Sequence, residues 1–297
     1  MSKIIAIIVT FNPNFDWLIQ LVDLIQKNVD VVIVIDNGTF DFEHILPALT
    51  SKNVFVRRNE NNLGVATAYN QGIKFATELN AKRIVLFDQD SYPDGDMIAN
   101  LGRELDLARL AGLKVAAVGP KYYDAKFPET SPFVRIEGFR LGRVSCSSVE
   151  VVQIDHLISS GCMIDIEVFF TVGLFEEKLF IDYVDTEWCL RAKAKGFILL
   201  GVGAALMRHN LGDSYLTFFS KRIPQHSALR HYYLMRNGTW LLGQPWVGWR
   251  WRILDGMRLF KIFLFFSTCG SHPAIHFKMM LLGIQHSMRS KMGKHID

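Results

Sequence analysis

The sequence predicts an α/β fold: a mostly parallel central sheet with helices on both faces, followed by a helical C-terminal extension. Three observations carry this. Short apolar runs recur at Ile4–Thr10, Val29–Ile35, Arg83–Phe87 and Val115–Val118, and they read as strands covered on both faces. Stretches of helical apolar spacing separate them, which is the alternation of a doubly wound sheet. From Tyr215 onward helical spacing dominates and no further strand is expected.

The elements follow in order. The first strand, Ile4–Thr10, exits into Phe11-Asn12-Pro13, and Phe15–Lys27 is a helix by the spacing of Trp17, Leu18, Leu21, Leu24 and Ile25. The second strand stops at the turn signal Asp36-Asn37-Gly38. Phe42–Leu49 reads as a short helix, Val54–Arg57 as a short strand and Val65–Leu79 as a helix. Arg83–Phe87 runs into Asp88-Gln89-Asp90, a helix follows near Met97–Leu110, and the next strand is Val115–Val118. Residues 121–150 show no sustained period and read as a connecting or substrate-covering segment. Order returns at Gln153–Ser160 and Ile164–Val172, and a helix over Thr186–Lys195 leads into the apolar strand Phe197–Val202.

At 297 residues, with 49% hydrophobic and 21% charged residues, the chain has ample material for a core and is excluded from the disordered, collagen-like and disulfide-stapled classes. Charge is divided unevenly. Residues 221–297 hold twelve Lys or Arg against two acids, a net +10 that leaves −6 for residues 1–220 of a chain carrying +4. A basic, aromatic-rich tail on an acidic body points to an anionic surface such as a membrane or a diphosphate. Its basic residues are interleaved with bulky aliphatic ones and no groove-reading motif is present, so no nucleic acid partner is expected. The four cysteines show no metal-ligand spacing and read as reduced, buried thiols. The N-terminal apolar run is too short for a signal peptide, and Asp255, Arg258 and Lys261 interrupt the apolar stretch Ile253–Cys269, so neither export nor a spanning helix is expected.

Ligands of doubly wound sheets bind at the carboxyl ends of the strands. Asp36 there can accept the N3–H of a pyrimidine, or can simply terminate its strand with an Asx turn. Asp88 and Asp90 flank one residue on a tight exit, a spacing that suits Mg2+ or Mn2+, though acidic turns are also common without an ion. Asn62 and Gly64 precede a helix, where backbone amides can approach a phosphate or serve only as a cap. Asp185 reads as the N-cap of its helix and, facing the cleft, as a general base. His209 follows an apolar strand and can join a metal or phosphate site. His272 and His276 lack the HExxH pattern and are read as surface residues, and Ser159-Ser160-Gly161 lacks a nucleophile elbow. GxGxxG and P-loop spacings are absent, which argues against NAD and ordinary ATP chemistry.

In their order and spacing, IVTFNP, VIDNGT, NENNLGVATAYNQGI, FDQDSYP, the segment SSGCMIDIEVFF through DYVDTEWCLRAKAKGF, RHNLGDS and RHYYLMRN resemble the inverting family 2 glycosyltransferases, in particular their bacterial rhamnosyltransferase branch, over residues 3 to about 240. The resemblance implies a GT-A fold with the C-terminal helical extension added, and transfer of L-rhamnose from dTDP-L-rhamnose to a saccharide or lipid-linked saccharide acceptor. A UDP-linked hexose or furanose donor, or a non-catalytic membrane-associated scaffold, are the alternatives. It divides the chain into a catalytic domain, 1–215, with a nucleotide-sugar half (1–120) and an acceptor half (121–215), and a helical region, 216–297. Residue by residue, it assigns Thr10, Asn12, Asp36, Asn62, Gly64 and Asp88 to the donor, Asp88, Asp90 and His209 to Mg2+ or Mn2+, and Asp185 to base catalysis. Acceptor contacts are expected from Trp188, Arg230 and Arg236. Many family members carry Glu-Asp where this chain has Val184-Asp185, so any role of the preceding acid is absent. The implied setting is cytoplasmic and peripheral at the inner membrane, with the aromatic and cationic helix after Trp249 either at the headgroups or in a homo-oligomer contact.

Overall fold

The computed structural model describes residues 3–49, 51–124, 130–138, 140–209, 215–218, 221–269 and 272–295. The first half follows the expected alternation. β1 (Ile4–Thr10), α1 (Phe15–Ile25), β2 (Val31–Asp36), α2 (Leu46–Leu49), β3 (Val54–Arg58), α3 (Val65–Glu78) and β4 (Arg83–Asp88) build four parallel strands in the order β3-β2-β1-β4. Ile5, Ala6, Ile7 and Ile8 of β1 are wholly buried because the two faces of the sheet are both covered. Ile5 and Ile7 join one core with α3; Ala6 and Ile8 join another with α1 on the opposite face. Gly72 lets α3 lie against β1: a Cβ there would stand 2.4 Å from Ile7.

The second half is mixed. After β5 (Ser91–Pro93), α4 (Met97–Leu110) and β6 (Val115–Tyr123), a hairpin of β7 (Phe133–Glu137) and β8 (Arg140–Val144) occupies the stretch without sequence periodicity, its short strands alternating charged and apolar residues. β9 (Val151–Ile154), β10 (Met163–Asp165), α5 (Ile166–Val172), α6 (Val184–Ala194) and β11 (Ile198–His209) complete the body. β10 runs antiparallel between β4 and β6, β11 pairs parallel with β6, and β5 and β9 pair antiparallel with β11. The strand expected to stop at Val202 continues to His209, because a register shift between Val202 and Leu206 bends it without ending it.

Beyond this, β12 (Tyr215–Phe218) and β13 (Lys221–Pro224) form a hairpin where only helices were expected, and the boundary drawn at 215/216 falls inside it. Asn210 to Ser214, part of the RHNLGDS match, lie outside the described residues. α7 (Ala228–Leu242), α8 (Trp249–Thr268) and α9 (Pro273–Met288) then pack on one another and on α6 through Tyr183, Leu190, Met235, Trp251 and Leu259. No described helix is long and apolar enough to cross a membrane.

Candidate active site at the carboxyl ends of the strands

The parallel half presents its polar residues at strand exits. Asp36, wholly buried at the end of β2, accepts from the Thr39 amide (3.0 Å) through Oδ2, with Arg58 Nε at 3.5 Å. Its Oδ1 is buried with no partner among the described residues. The Asx-turn reading of Asp36 is the one these bonds show, made through Oδ2. Beside it a cavity of about 420 Å³ is bordered by Gly38, Thr39, Phe40, Arg58 and Glu60. Asn12 is exposed, in a left-handed conformation, and its amide donates to Thr39 Oγ1 (2.8 Å).

Two donor assignments acquire different explanations. The Thr10 hydroxyl is buried and donates to Gln89 Oε1 (2.9 Å), which also accepts the Phe11 amide, so Thr10 locks the exit of β1 to that of β4. Gly64, at φ +89°, is required by the backbone of Phe180: a Cβ would lie 2.6 Å from its carbonyl oxygen. Asn62 Oδ1 accepts the Gly64 amide (2.9 Å), forming the turn that starts α3.

At the next exit Asp88, Asp90 and His209 offer two carboxylate oxygens and an imidazole nitrogen, all within 4.8 Å of one another. Antiparallel pairing of β11 with β5 sets His209 opposite Ser91, one residue from Asp90. Ser91 Oγ and His209 Nδ1 are hydrogen-bonded at 2.6 Å, Ser160 Oγ donates to Ser91 Oγ (2.7 Å), and the Asp88 amide donates to Ser160 Oγ (2.9 Å). The same His209 Nδ1 lies 3.8 Å from Asp90 Oδ1. Burial pushes the Asp88 carboxyl up; His209 and the Tyr69 hydroxyl, which donates to it at 2.7 Å, oppose this, while Asp90 and Asp185 add to it. Such a set of oxygen and nitrogen donors in mutual repulsion fits a divalent cation.

Adjacent serines link Asp185 to this exit: the Ser159 amide donates to the Asp185 carboxylate, and Ser160 Oγ accepts the Asp88 amide. Asp185 is the second residue of α6, not the N-cap; Tyr183, left-handed at φ 65°, holds that position. The Thr186 amide donates to Asp185 Oδ1 (2.7 Å), and His156 Nε2 stands 3.8 Å away, hydrogen-bonded to Thr186 Oγ1 at 3.0 Å. Burial pushes the Asp185 carboxyl up, but nearby His156 and the amides of Thr186 and Ser159 outweigh it and hold the group below the usual carboxylate range.

The approach to α6 is strained: Phe180, Asp182 and Tyr183 all have positive φ. Helices of the C-terminal region hold it. Asn237 of α7 donates to the carbonyls of Leu179, Ile181 and Asp182 at 2.7–3.0 Å, and Tyr183 donates to Asp255 of α8 at 2.7 Å. Arg230 Nε lies 3.2 Å from Asp182 and is exposed at this edge.

Two expected acceptor contacts are corrected. Trp188 is 2% exposed, stacked among Phe169 and Phe175 with its indole N–H donated to Gly173, and Arg236 is 1% exposed with its guanidinium on the carbonyls of Leu179 and Gly293. Both are structural. His276 is buried against His231 (Nδ1 to Nδ1, 2.8 Å), and Cys269 is exposed, contrary to the surface and buried readings. Sequence reasoning missed His156, Tyr69, Gln89, Ser91 and Ser160; the position of His156 and Ser160 after an apolar strand was the available signal. A hollow of about 970 Å³ lies at the amino ends of β1 and β4 around Ile4, Lys82 and Arg83, away from this chemistry.

Comparison with known proteins agrees with this geometry. Over 245 residues the chain is 35% identical to the dTDP-rhamnosyl transferase RfbF of Shigella flexneri, covering 81% of this chain and 80% of that one. It is 38% identical over 95 residues to the uncharacterized protein MJ0544 of Methanocaldococcus jannaschii, covering 31% of this chain and 39% of that one. A crystal structure of GalNAc-T7 with UDP, GalNAc and Mn2+ superposes with a TM-score of 0.58 at 16% identity, over 98% of this chain and 58% of that one, a likeness of fold alone. Residues 5–169, which span β1 to α5 and include both acidic strand exits, match glycosyl transferase family 2, and with them the chain belongs to that family.

Proposed function

We propose that the protein transfers L-rhamnose from dTDP-L-rhamnose to a saccharide hydroxyl with inversion at the anomeric carbon. The observation that carries this reading is the meeting of Asp88, Asp90 and His209 with Asp185 in one cleft. The likeness to the Shigella transferase supports the donor. In this reading Asp36 Oδ1, buried without a partner among the described residues, accepts the N3–H of thymine, and the 420 Å³ cavity lined by its neighbours Thr39 and Arg58 takes part of the nucleotide. Uracil carries the same N3–H, so Asp36 selects a pyrimidine and the choice of dTDP over UDP rests on the relative.

Asp88, Asp90 and His209 would hold a divalent cation, and a mixed oxygen and nitrogen set favours Mn2+ over Mg2+. When bound, it stabilises the negative charge that grows on the departing diphosphate. Asp185 stays ionised at neutral pH and takes the proton of the acceptor hydroxyl as that oxygen bonds to the anomeric carbon. This contributes about 10²–10⁴-fold. His156 and Thr186 fix the carboxylate's direction. A single displacement turns a β-linked donor into an α-rhamnoside.

Along α8, Trp249, Ile253, Met257, Phe260 and Leu264 form one exposed stripe beside Arg250 and Lys261. This face supports peripheral docking on an anionic bilayer, where a lipid-linked acceptor resides, at the cytoplasmic side of the inner membrane. Flotation with anionic vesicles at low salt tests it; absence of flotation together with dimers in sedimentation would assign the stripe to a second copy instead.

The overall test is a donor panel. Nucleotide release from dTDP-L-rhamnose with Mn2+, and an α-anomeric product by NMR, are expected. Turnover of UDP-sugars alone would overturn the donor.

A further inference from the structure

We propose that a cavity of about 260 Å³ between the β7–β8 hairpin and the inner face of α8 receives the acceptor, as one neutral pyranose residue. The inference rests on the assignment of Asp185 as base. Thr186 and His156, the two residues that orient Asp185, form part of its wall, which sets the cavity directly behind the neighbours of that carboxylate. Val134, Trp251 and Leu254 supply apolar wall. Trp251 is 8% exposed and its indole N–H is buried without a partner among the described residues.

Charge decides between a sugar and a phosphate. Asp255 and Arg258, which also line the cavity, neutralise each other: Arg258 Nε donates to Asp255 Oδ1 at 2.7 Å, and the Tyr183 hydroxyl donates to Asp255 Oδ2. A neutral ligand with apolar C–H faces and a rim of hydroxyls suits a cavity with an aromatic wall and paired polar groups. Its volume sits just below the few hundred Å³ usual for small-molecule sites, which limits it to one sugar ring. α8 thereby has two faces: Trp251, Leu254, Asp255 and Arg258 turn to the cavity, and the stripe from Trp249 to Leu264 turns outward. An acceptor sugar in the cavity and its lipid outside would be read by opposite sides of one helix.

The test is saturation-transfer NMR on the full chain with dTDP and Mn2+, using the methyl glycosides of L-rhamnose, D-glucose, D-galactose and N-acetyl-D-glucosamine as probes. At least one should receive saturation from the wild-type chain. Leu254→Phe and Val134→Phe, which fill the cavity, should each weaken that probe's affinity about tenfold or more, the scale of one misfitted group in a specificity pocket. Calorimetric dTDP binding on the same variants shows that the donor half is intact. Saturation of no glycoside, or equal affinity in wild type and both variants, would overturn the inference alone. Failure of dTDP to bind the wild-type chain would overturn the donor reading and this inference with it.

Discussion

The two sides of the cleft are built by different means. On the donor side Asp36 and Asp88 end parallel strands, and the groups that bond their carboxylates come from nearby in the chain: the Thr39 amide 3 residues away and the Tyr69 hydroxyl 19 residues away. On the acceptor side Asp185 sits on a helix reached through left-handed, non-glycine backbone, and what holds that backbone arrives from more than fifty residues away. A strand exit positions its carboxylate with the sheet; a strained entry needs an outside clamp. The C-terminal helices therefore brace the entry to α6, although the family match ends at residue 169.

This contrast can be broken or sharpened by substitution. Asp185→Asn should keep dTDP binding and lower transfer by about 10²–10⁴-fold, measured as nucleotide release in the presence of acceptor. Wild-type rates would remove the base assignment. Asn237→Ala removes the side-chain donor to the Leu179, Ile181 and Asp182 carbonyls and the acceptor of Arg236 Nε, and should cost about 1–3 kcal/mol in thermal or urea unfolding. It should also reduce kcat more than it raises the donor KM; a fall in stability with kcat intact would make the clamp merely structural.

The buried histidine pair gives the helical side a pH dependence of its own. Burial, reinforced by His276, His226 and Arg230, depresses His231 from 6.5 to about 3. The neutral form is thus favoured in the fold, so its contribution is complete above about pH 6.5 and is lost as the pH falls toward 3. Between pH 7 and pH 5 the loss should be about 2 kcal/mol, and His231→Phe should flatten the melting curves over that interval. Parallel curves would contradict this.

Smaller effects concern the individual carboxylates. Asp36→Asn should weaken dTDP about tenfold, the scale of one hydrogen bond to a charged acceptor, with little change in acceptor affinity. His156→Ala removes the neighbour that holds Asp185 down and leaves burial to push it up, so the acid limb of the rate profile should move to higher pH. An unmoved limb would confine His156 to packing.

The same contrast explains what was legible in the sequence. Strands β1, β2 and β4 announce themselves as apolar runs, and Asp36, Asp88 and Asp90 stand directly at their ends, so period and position together locate them. His209 is legible from its place after an apolar strand, although the strand expected to stop at Val202 continues to His209 itself. Trp188 and Arg236 misled because an aromatic or a cation near a catalytic acid looks like a ligand contact when burial is unknown. His156 and Ser160 carry only their place after an apolar strand and Asn237 no local pattern at all; the packing of β9, β10 and α7 brings them to the site. The β7–β8 hairpin escaped because its strands are short and half exposed, with little apolar contrast between neighbouring positions.

The central claim is that one cleft joins a cation site at Asp88, Asp90 and His209 to a separate base at Asp185. Isothermal titration of dTDP with and without Mn2+, on wild type, Asp90→Asn and Asp185→Asn, tests it most directly. The account predicts Mn2+-dependent binding in wild type and Asp185→Asn and its loss in Asp90→Asn. Binding that ignores Mn2+, or that vanishes in Asp185→Asn while surviving in Asp90→Asn, would contradict it.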